Sequence, residues 1–394
     1  METLGTRIRH ARGKLITQAG LAELAGVSTS FIKKVEGGTK MPSTPVLQKI
    51  AQALDVSIDD LVGNRPAFPT GDLDAGIVAL RRALTPIDDL TSDAEAASLS
   101  LAEAQREVDK AWGAYWFGRF EKLTGDLPAG ISTLRATARR TEKPRAHELY
   151  ADMLYLAACT LVHLGQPDPA WIAIRTALEE ARKGDDPLLE ATVRGSIGWQ
   201  LLVQGRYRES QDVVLKAAED TEPRGDVSDQ HLSVHGGLLL QGAVAAGRGQ
   251  RVREALALAG EADRWAERLG RETKYYETNF GPSQIVMQTV DIHVSSEQYV
   301  EAMTAAKRMP KGGLDMTTIS QGRHLIDKAA AAANLGQHET ALHMLLTAER
   351  IGGEEWVKYQ TLLRNVLGVL LHHDRHNKLR AFAQRVGVLG SSAL

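Results

Sequence analysis

Thr17-Gln18-Ala19-Gly20-Leu21-Ala22-Glu23-Leu24-Ala25-Gly26-Val27-Ser28-Thr29-Ser30-Phe31-Ile32-Lys33-Lys34-Val35-Glu36-Gly37-Gly38 is the stretch that decides the fold. It reads as two short helices punctuated by turn residues. Thr17 is an N-cap for a helix over Gln18 to Ala25, with Leu21, Ala22 and Leu24 inward. Gly26 supplies a left-handed turn residue. Ser28 caps a second helix, Thr29 to Glu36, with Ile32 and Val35 inward and Thr29, Ser30, Lys33 and Lys34 outward.

Working outward, Leu4, Ile8 and Ala11 repeat at helical spacing, giving a preceding helix whose Arg7, Arg9 and Arg12 are expected mostly to face solvent. Thr44-Pro45 pairs an N-cap with proline at the first helical position, opening a helix through Leu47, Ile50 and Leu54. Ser57-Ile58-Asp59-Asp60 reads as a capping-box start for a fifth. Residues 1–50 hold eight basic and three acidic side chains, a net of +5 that leaves −7 for the rest of a chain whose overall charge is −2. A basic head on an acidic body is the asymmetry expected when one domain meets phosphate.

Thr17-Gln18, Leu21-Ala22, Ala25-Gly26-Val27-Ser28, Ile32, Val35-Glu36-Gly37-Gly38, Pro42-Ser43 and Ala53-Leu54-Asp55-Val56 resemble the helix-turn-helix of the Xre (Cro/lambda-repressor-like) family, over about the first sixty residues. The resemblance implies that the second of the paired helices enters the major groove of double-stranded operator DNA. Thr29, Ser30 and Lys33 would then read bases, Gln18 would meet a phosphate, and Lys34, Thr39 and Lys40 would hold backbone. Gly20 departs from the family pattern, standing where a good helix former is usual.

The remaining composition bounds the body. A length of 394 residues predicts two or three domains, and 43% hydrophobic residues suffice for a buried core. Cys159 is the only cysteine, which excludes an intrachain disulfide framework. No apolar run approaches the ~18 residues of a membrane span, and METLGTRIRHARGK lacks an apolar signal core, so a soluble, cytoplasmic protein is expected. Residues 63–72 carry two prolines and no helical period and read as a linker between a domain at 1–62 and a second at 73–394.

Past the linker, Ala/Leu-rich stretches show no strand-like alternation, and small residues recur in columns. Gly130, Ala170, Ser210, Ala255, Ala302 and Ala341 form one. Twelve residues upstream stand Gly118, Ala158, Gly198, Ala243, Val290 and Ala329, and seven downstream Thr137, Ala177, Ala217, Ala262, Met309 and Ala348. Small side chains are required where paired helices cross closely. These offsets resemble the tetratricopeptide repeat (TPR), stretched beyond its usual ~34 residues. The fold expected is all-α: a five-helix helix-turn-helix domain followed by a TPR-like α-solenoid of six helix pairs over about 103–350, with 354–387 as a terminal cap.

Head and body together resemble the long Xre-type regulators of actinobacteria, to which Asn279-Phe280-Gly281-Pro282-Ser283, Arg323 and Asp327 are also similar. In architecture they resemble the peptide-pheromone receptors of Gram-positive bacteria. Counting 18, 15 and 11 residues upstream of the small column places groove-facing candidates for a peptide or small-molecule effector. These are Trp112, Tyr115 and Arg119; Asp152, Tyr155 and Cys159; Thr192 and Trp199; Gln284, Met287 and Asp291; and Arg323. Apolar walls with sparse polar groups suit such a site, although aromatic residues at helical spacing are also ordinary inter-helix core.

No P-loop, dinucleotide fingerprint or nucleophile elbow occurs, so neither an enzyme nor a cofactor is expected. His231 and His235 share a helix face without a third ligand, and His372-His373-Asp374-Arg375-His376 falls near a helix end; both read as structural rather than metal-binding. The chain is thus expected to be a DNA-binding transcriptional regulator, acting as a homodimer without membrane attachment. Its repeat domain would either sense an effector or serve as a protein-interaction scaffold.

Overall fold

A computed structural model describes residues 4–13, 16–42, 44–54, 56, 61, 72–86, 97–310, 317–358, 360–373 and 377–388. The elements expected at Ser57–Asp60 and the linker at 63–71 lie outside the described residues, as do Ser43 and Asp374-Arg375-His376. The chain divides into two compact units. One comprises Met1–Ala67, Ala246–Leu256 and Val286–Leu394, and the other Phe68–Ala245 and Ala257–Ile285.

The head opens the first unit with α1 (Leu4–Arg12), α2 (Gln18–Leu24), α3 (Thr29–Glu36) and α4 (Thr44–Ala53). Thr17 Oγ1 accepts from the Gly20 amide at 3.0 Å and Ser28 Oγ from the Phe31 amide at 3.1 Å, and Gly26 takes φ +64°. Ile8, Leu21, Ile32, Val35, Leu47, Ile50 and Leu61 form one dry core. Some facings differ from those expected. Leu24 and Ala11 are exposed, whereas Gly5 is buried where α1 crosses the end of α3. A Cβ on Gly5 would lie 2.3 Å from the Val35 carbonyl oxygen, so this crossing needs glycine. Arg12 turns inward, its side chain 14% exposed, because a buried acid awaits it.

The second unit holds α5 (Asp72–Leu84), α6 (Leu101–Trp116), α7 (Phe120–Thr141), α8 (Pro144–His163), α9 (Pro167–Ala181), α10 (Pro187–Val203) and α11 (Tyr207–Asp220). α12 (Asp229–Arg248) and α13 (Val252–Leu269) follow, apart from their residues 246–256, which belong to the first unit, with a hairpin of β1 (Thr273–Tyr275) and β2 (Thr278–Phe280). Proline at the first helical turn starts α8, α9 and α10, and a Ser100–Glu103 capping box starts α6. The rest of the first unit is α14 (Pro282–Ser295) from Val286 on, α15 (Tyr299–Ala306), α16 (Thr318–Asn334), α17 (His338–Gly352), α18 (Glu354–Lys358), α19 (Thr361–His373) and α20 (Asn377–Arg385). Only the hairpin departs from helix among the described elements, against the expectation of no strand.

The small columns are the helix crossings. Ala170, Ser210, Ala255, Ala302 and Ala341 are each fully buried at the start of the second helix of a pair. Ser210 Oγ donates to the Gly198 carbonyl at 2.7 Å, and a Cβ on Gly198 would meet Val214 at 2.2 Å. Each of these five residues follows by five positions a turn residue of positive φ: Gly165, Gly205, Gln250, Glu297 and Gly336. In the first pair that residue is Gly118 (φ +69°), five before Leu123. The first repeat therefore starts seven residues earlier than its alignment on Gly130, and Gly118 is a turn residue, not a crossing. Alanine and glycine are frequent enough here to have supported either register.

Candidate nucleic-acid interface and repeat groove

In the head, Glu36 joins three helices. Its side chain, fully buried, accepts from Arg12 Nε at 2.7 Å and from Gln18 Nε2 at 2.8 Å, with Arg9 Nε 3.6 Å away. Arg12 also donates to the Ile16 carbonyl at 2.7 Å. Burial alone would raise the Glu36 pKa, but the Arg12 and Gln18 hydrogen bonds and the two arginine charges outweigh it and hold the carboxylate below its ordinary range. The Gln18 amide is thus engaged inside the head rather than turned outward.

This hub orients α3. Ser30, Lys33 and Lys34 are exposed on one face of it, with Thr29 half-buried at its first turn. Beyond its end, Thr39 Oγ1 donates to the Lys34 carbonyl at 3.1 Å, and the Lys40 ammonium sits 4.8 Å from the centre of the Phe31 ring. Within the same unit Met41 reaches α19, where a Cβ on Gly368 would come to 3.0 Å of its methyl.

In the second unit the expected groove residues converge. Trp112 is buried and its indole N–H donates to Asp152 Oδ1 at 2.8 Å, while its ring meets Tyr155 edge-on at 5.0 Å and Tyr115 at 5.2 Å. The Tyr115 hydroxyl and His163 Nε2 lie 3.1 Å apart, and His163 leans on Trp199 at 5.4 Å. Asp152 is half-buried, with the Trp112 and Tyr155 rings packed around it. Burial, partly opposed by the Trp112 hydrogen bond, pushes its pKa up to about 7. Cys159 packs beside Ser196, and burial pushes its thiol up to about 12, which leaves it an unreactive core residue.

Two expected residues stand apart from this cluster. Arg119 precedes α7, exposed over the Phe117 ring, because of the seven-residue register difference. The Thr192 hydroxyl donates to the Leu188 carbonyl at 2.8 Å, within its own helix. Gln284 is half-buried at the start of α14, and its Oε1 has no hydrogen-bond partner among the described residues.

In the first unit, Met287 is buried and Asp291 forms a forked pair with Arg248, at 3.1 Å for the shortest contact. Asp327 lies close by with exposed Arg323. Burial pushes its carboxyl well above the usual range, the Asp291 charge adds to this, and Arg248 and Arg323 oppose it.

The hairpin supplies contacts that sequence reasoning missed. Glu277 accepts from the Trp116 indole N–H and pairs with Lys274 at 2.6 Å, and the Tyr276 hydroxyl donates to Asp186 at 2.9 Å. A cavity of about 420 Å³ opens beside it, lined by Glu148, Asp186, Asp220, His231 and Tyr276 among others. Two β-formers flanking two residues, Thr273–Tyr275 and Thr278–Phe280, were the available signal. The Asn279-Phe280-Gly281-Pro282-Ser283 motif closes this hairpin. Phe280 is fully buried against Gly236, and a Cβ on Gly281 would come to 2.6 Å of Glu272.

His231 and His235 donate ring N–H groups to the Thr221 and Ala218 carbonyls at 2.8 and 3.0 Å, at the end of α11. Among the described residues no group of three or more His, Cys, Asp or Glu could hold a metal ion, and no helix is long and apolar enough to cross a membrane.

An exposed basic helix on a helix-turn-helix, carried with TPR-like helix pairs, defines a DNA-binding transcriptional regulator. The helix-turn-helix family model matches residues 8–61. The chain is 39% identical over 61 residues to the uncharacterized HTH-type transcriptional regulator YazB of Bacillus subtilis, a match covering 15% of this chain and 88% of that one. It is 47% identical over 47 residues to the cryptic phage CTXphi transcriptional repressor RstR of Vibrio cholerae, covering 12% of this chain and 42% of that one. The chain belongs to the Xre-type helix-turn-helix family of transcriptional regulators. Over 89% of this chain and 99% of the other, the structure is similar to a Rap protein solved with competence and sporulation factor (TM-score 0.46, 12% identity). At that distance no residue role passes between the two.

Proposed function

We propose that this regulator binds operator DNA as a homodimer through residues 1–62 and that residues 73–394 sense a peptide or small-molecule effector and mediate dimerisation. Thr29, Ser30 and Lys33 contact bases, and Lys34, Thr39 and Lys40 contact backbone, with Gln18 joining them only if it leaves Glu36. One helix-turn-helix covers a half-site, which is why a two-fold-related site is expected. The observation that carries the effector reading is the gathering of Trp112, Tyr115, Asp152, Tyr155 and Trp199 from three helices around a carboxyl group that burial has brought to about 7. Apolar walls there give affinity and the few polar groups give orientation. In the other unit Met287, Asp291 and Arg323 offer a second such surface. Because the head touches α19 through Met41, a change in that unit's packing has a route to the DNA-binding surface.

Fluorescence anisotropy on the protein's own promoter region tests the DNA assignment. Lys33→Ala with Lys34→Ala is expected to lower affinity at least tenfold, through the lost base contact of Lys33, and to reduce the slope of log K against log salt by about 1, for the phosphate Lys34 no longer neutralises. An unchanged slope overturns the assigned interface. A partner protein that co-purifies stoichiometrically, with no ligand-dependent shift in melting, would make the repeat region a scaffold instead.

A further inference from the structure

The hairpin over the aromatic cluster has an anchored base and a tip held differently. At the base, Thr273 pairs with Phe280 across the strands, and Thr273 Oγ1 lies 3.0 Å from Ser233 Oγ and donates to the Phe280 carbonyl at 2.9 Å. Phe280 is fully buried, and Glu272 Oε1 accepts from the Ser283 amide at 2.6 Å. The tip is the two-residue turn Tyr276-Glu277, with φ of +48° and +56°. Such turns favour Asn-Gly because both positions are left-handed, and tyrosine and glutamate there carry backbone strain.

What offsets the strain lies across the groove rather than in the hairpin. Tyr276 donates to Asp186 ahead of α10 and Glu277 accepts from Trp116 at the end of α6, while Thr278 neighbours Tyr155 on α8. Those contacts are polar, and both tip residues keep partial exposure. Releasing them orphans little. Asp186 still accepts from the Leu188 and Leu189 amides at 3.0 and 3.1 Å, and Glu277 keeps Lys274. Asp152 is near enough for its charge to oppose that of Glu277.

We propose that the Tyr276-Glu277 tip is a built-in occupant of the groove, a strap that swings out on its anchored base when an external peptide presenting a phenol and a carboxylate takes the Asp186 and Trp116 contacts. This rests on the effector reading above and names the class of ligand and the device that gates it. The strap keeps the aromatic surface covered in the absence of that peptide, and the ligand resembles what it displaces.

The test uses the full chain and, as probe, a head-to-tail cyclised peptide of residues 272–281. By hydrogen exchange, amides of 274–279 are expected to exchange at least 100-fold faster than those of α8, showing that the strap opens while the groove stays folded. Tyr276→Asn with Glu277→Gly suits the turn, so the hairpin still forms, but removes both tip contacts. This variant is expected to bind the peptide at least tenfold more tightly than the wild type, and adding Trp116→Phe is expected to remove that gain. Strap amides that exchange no faster than α8, or peptide affinity equal or undetectable in both proteins, overturn the proposal. A strap that opens and a peptide that binds, with DNA affinity the same with and without peptide, would leave the strap standing and sink the effector reading instead.

Discussion

Glu36 in the head is a buried carboxyl group and Asp152 in the groove a half-buried one, and their environments drive them in opposite directions. Glu36 receives two charge-assisted bonds from Arg12 and one from Gln18, and stays ionised below its ordinary range. Asp152 receives one indole N–H, has the carboxylate of Glu277 for a neighbour, and rises to about 7. Burial acts the same way on both, so the number and charge of the donors decide the outcome. The head uses its buried acid for rigidity. The groove holds one that is only partly satisfied, as a site waiting for another group would.

Breaking the head's hub should give the largest effect. Glu36→Ala strands Arg12 against the core and is expected to destabilise the head by about 3 kcal/mol, read by thermal and urea unfolding. A loss below about 1 kcal/mol would mean that Glu36 is no more a hub than Asp152. Since its pKa is depressed on folding, the stability it contributes is present above the unfolded value near ~4.3 and is lost as pH falls through the folded one.

Asp152 has the opposite sign. Its folded pKa is raised, so its contribution is fully present below about 4 and is lost as pH rises through about 7. Asp152→Asn still accepts from Trp112, and is expected to leave stability unchanged near pH 4 and to raise it by about 2 kcal/mol at pH 8. A gain that is equal at both pH values would remove the contrast with Glu36.

The packing of the two regions can be compared as well. Gly198→Ala forces a methyl against Val214 and should cost about 2 kcal/mol in the repeat unit. Gly20→Ala, where a Cβ meets only ordinary contacts at 3.4 and 3.5 Å, should stabilise the head by about 0.5–1 kcal/mol. If both glycines respond alike, the distinction between a crossing and a mere departure from helix propensity is lost.

Much of the head was legible because its signals are local. Thr17, Gly26 and Ser28 act on backbone groups within three or four residues, and each does what its position implies. Arg12 reads as outward in sequence because its amphipathic helix gives no sign of an acid 24 residues away. The repeat's small columns were legible in five of the six pairs, since a period places equivalent residues on equivalent faces, whereas Trp112 and Tyr115, counted like Arg119 from the misplaced first pair, meet Asp152 and Tyr155 through packing that the count did not set. Arg119 escaped because the period was joined seven residues late in the first pair. The strap was invisible for a different reason: three-residue strands carry almost no alternation, and Tyr-Glu is a poor turn pair whose cost is offset by Asp186 and Trp116, 90 and 161 residues from the tip residues they hold.

The sequence by itself determined the helix-turn-helix and, in five of the six helix pairs, the small residues at which the helices cross, because caps, glycines and periods act over one or two turns of chain. Only the tertiary structure decided that Glu36 is a satisfied ion and Asp152 a strained acid, and that Tyr276 and Glu277 lie across the groove. Desolvation and the donors that offset it depend on what surrounds a side chain in space, and neighbours many tens of residues away leave no periodic trace in the order of the chain.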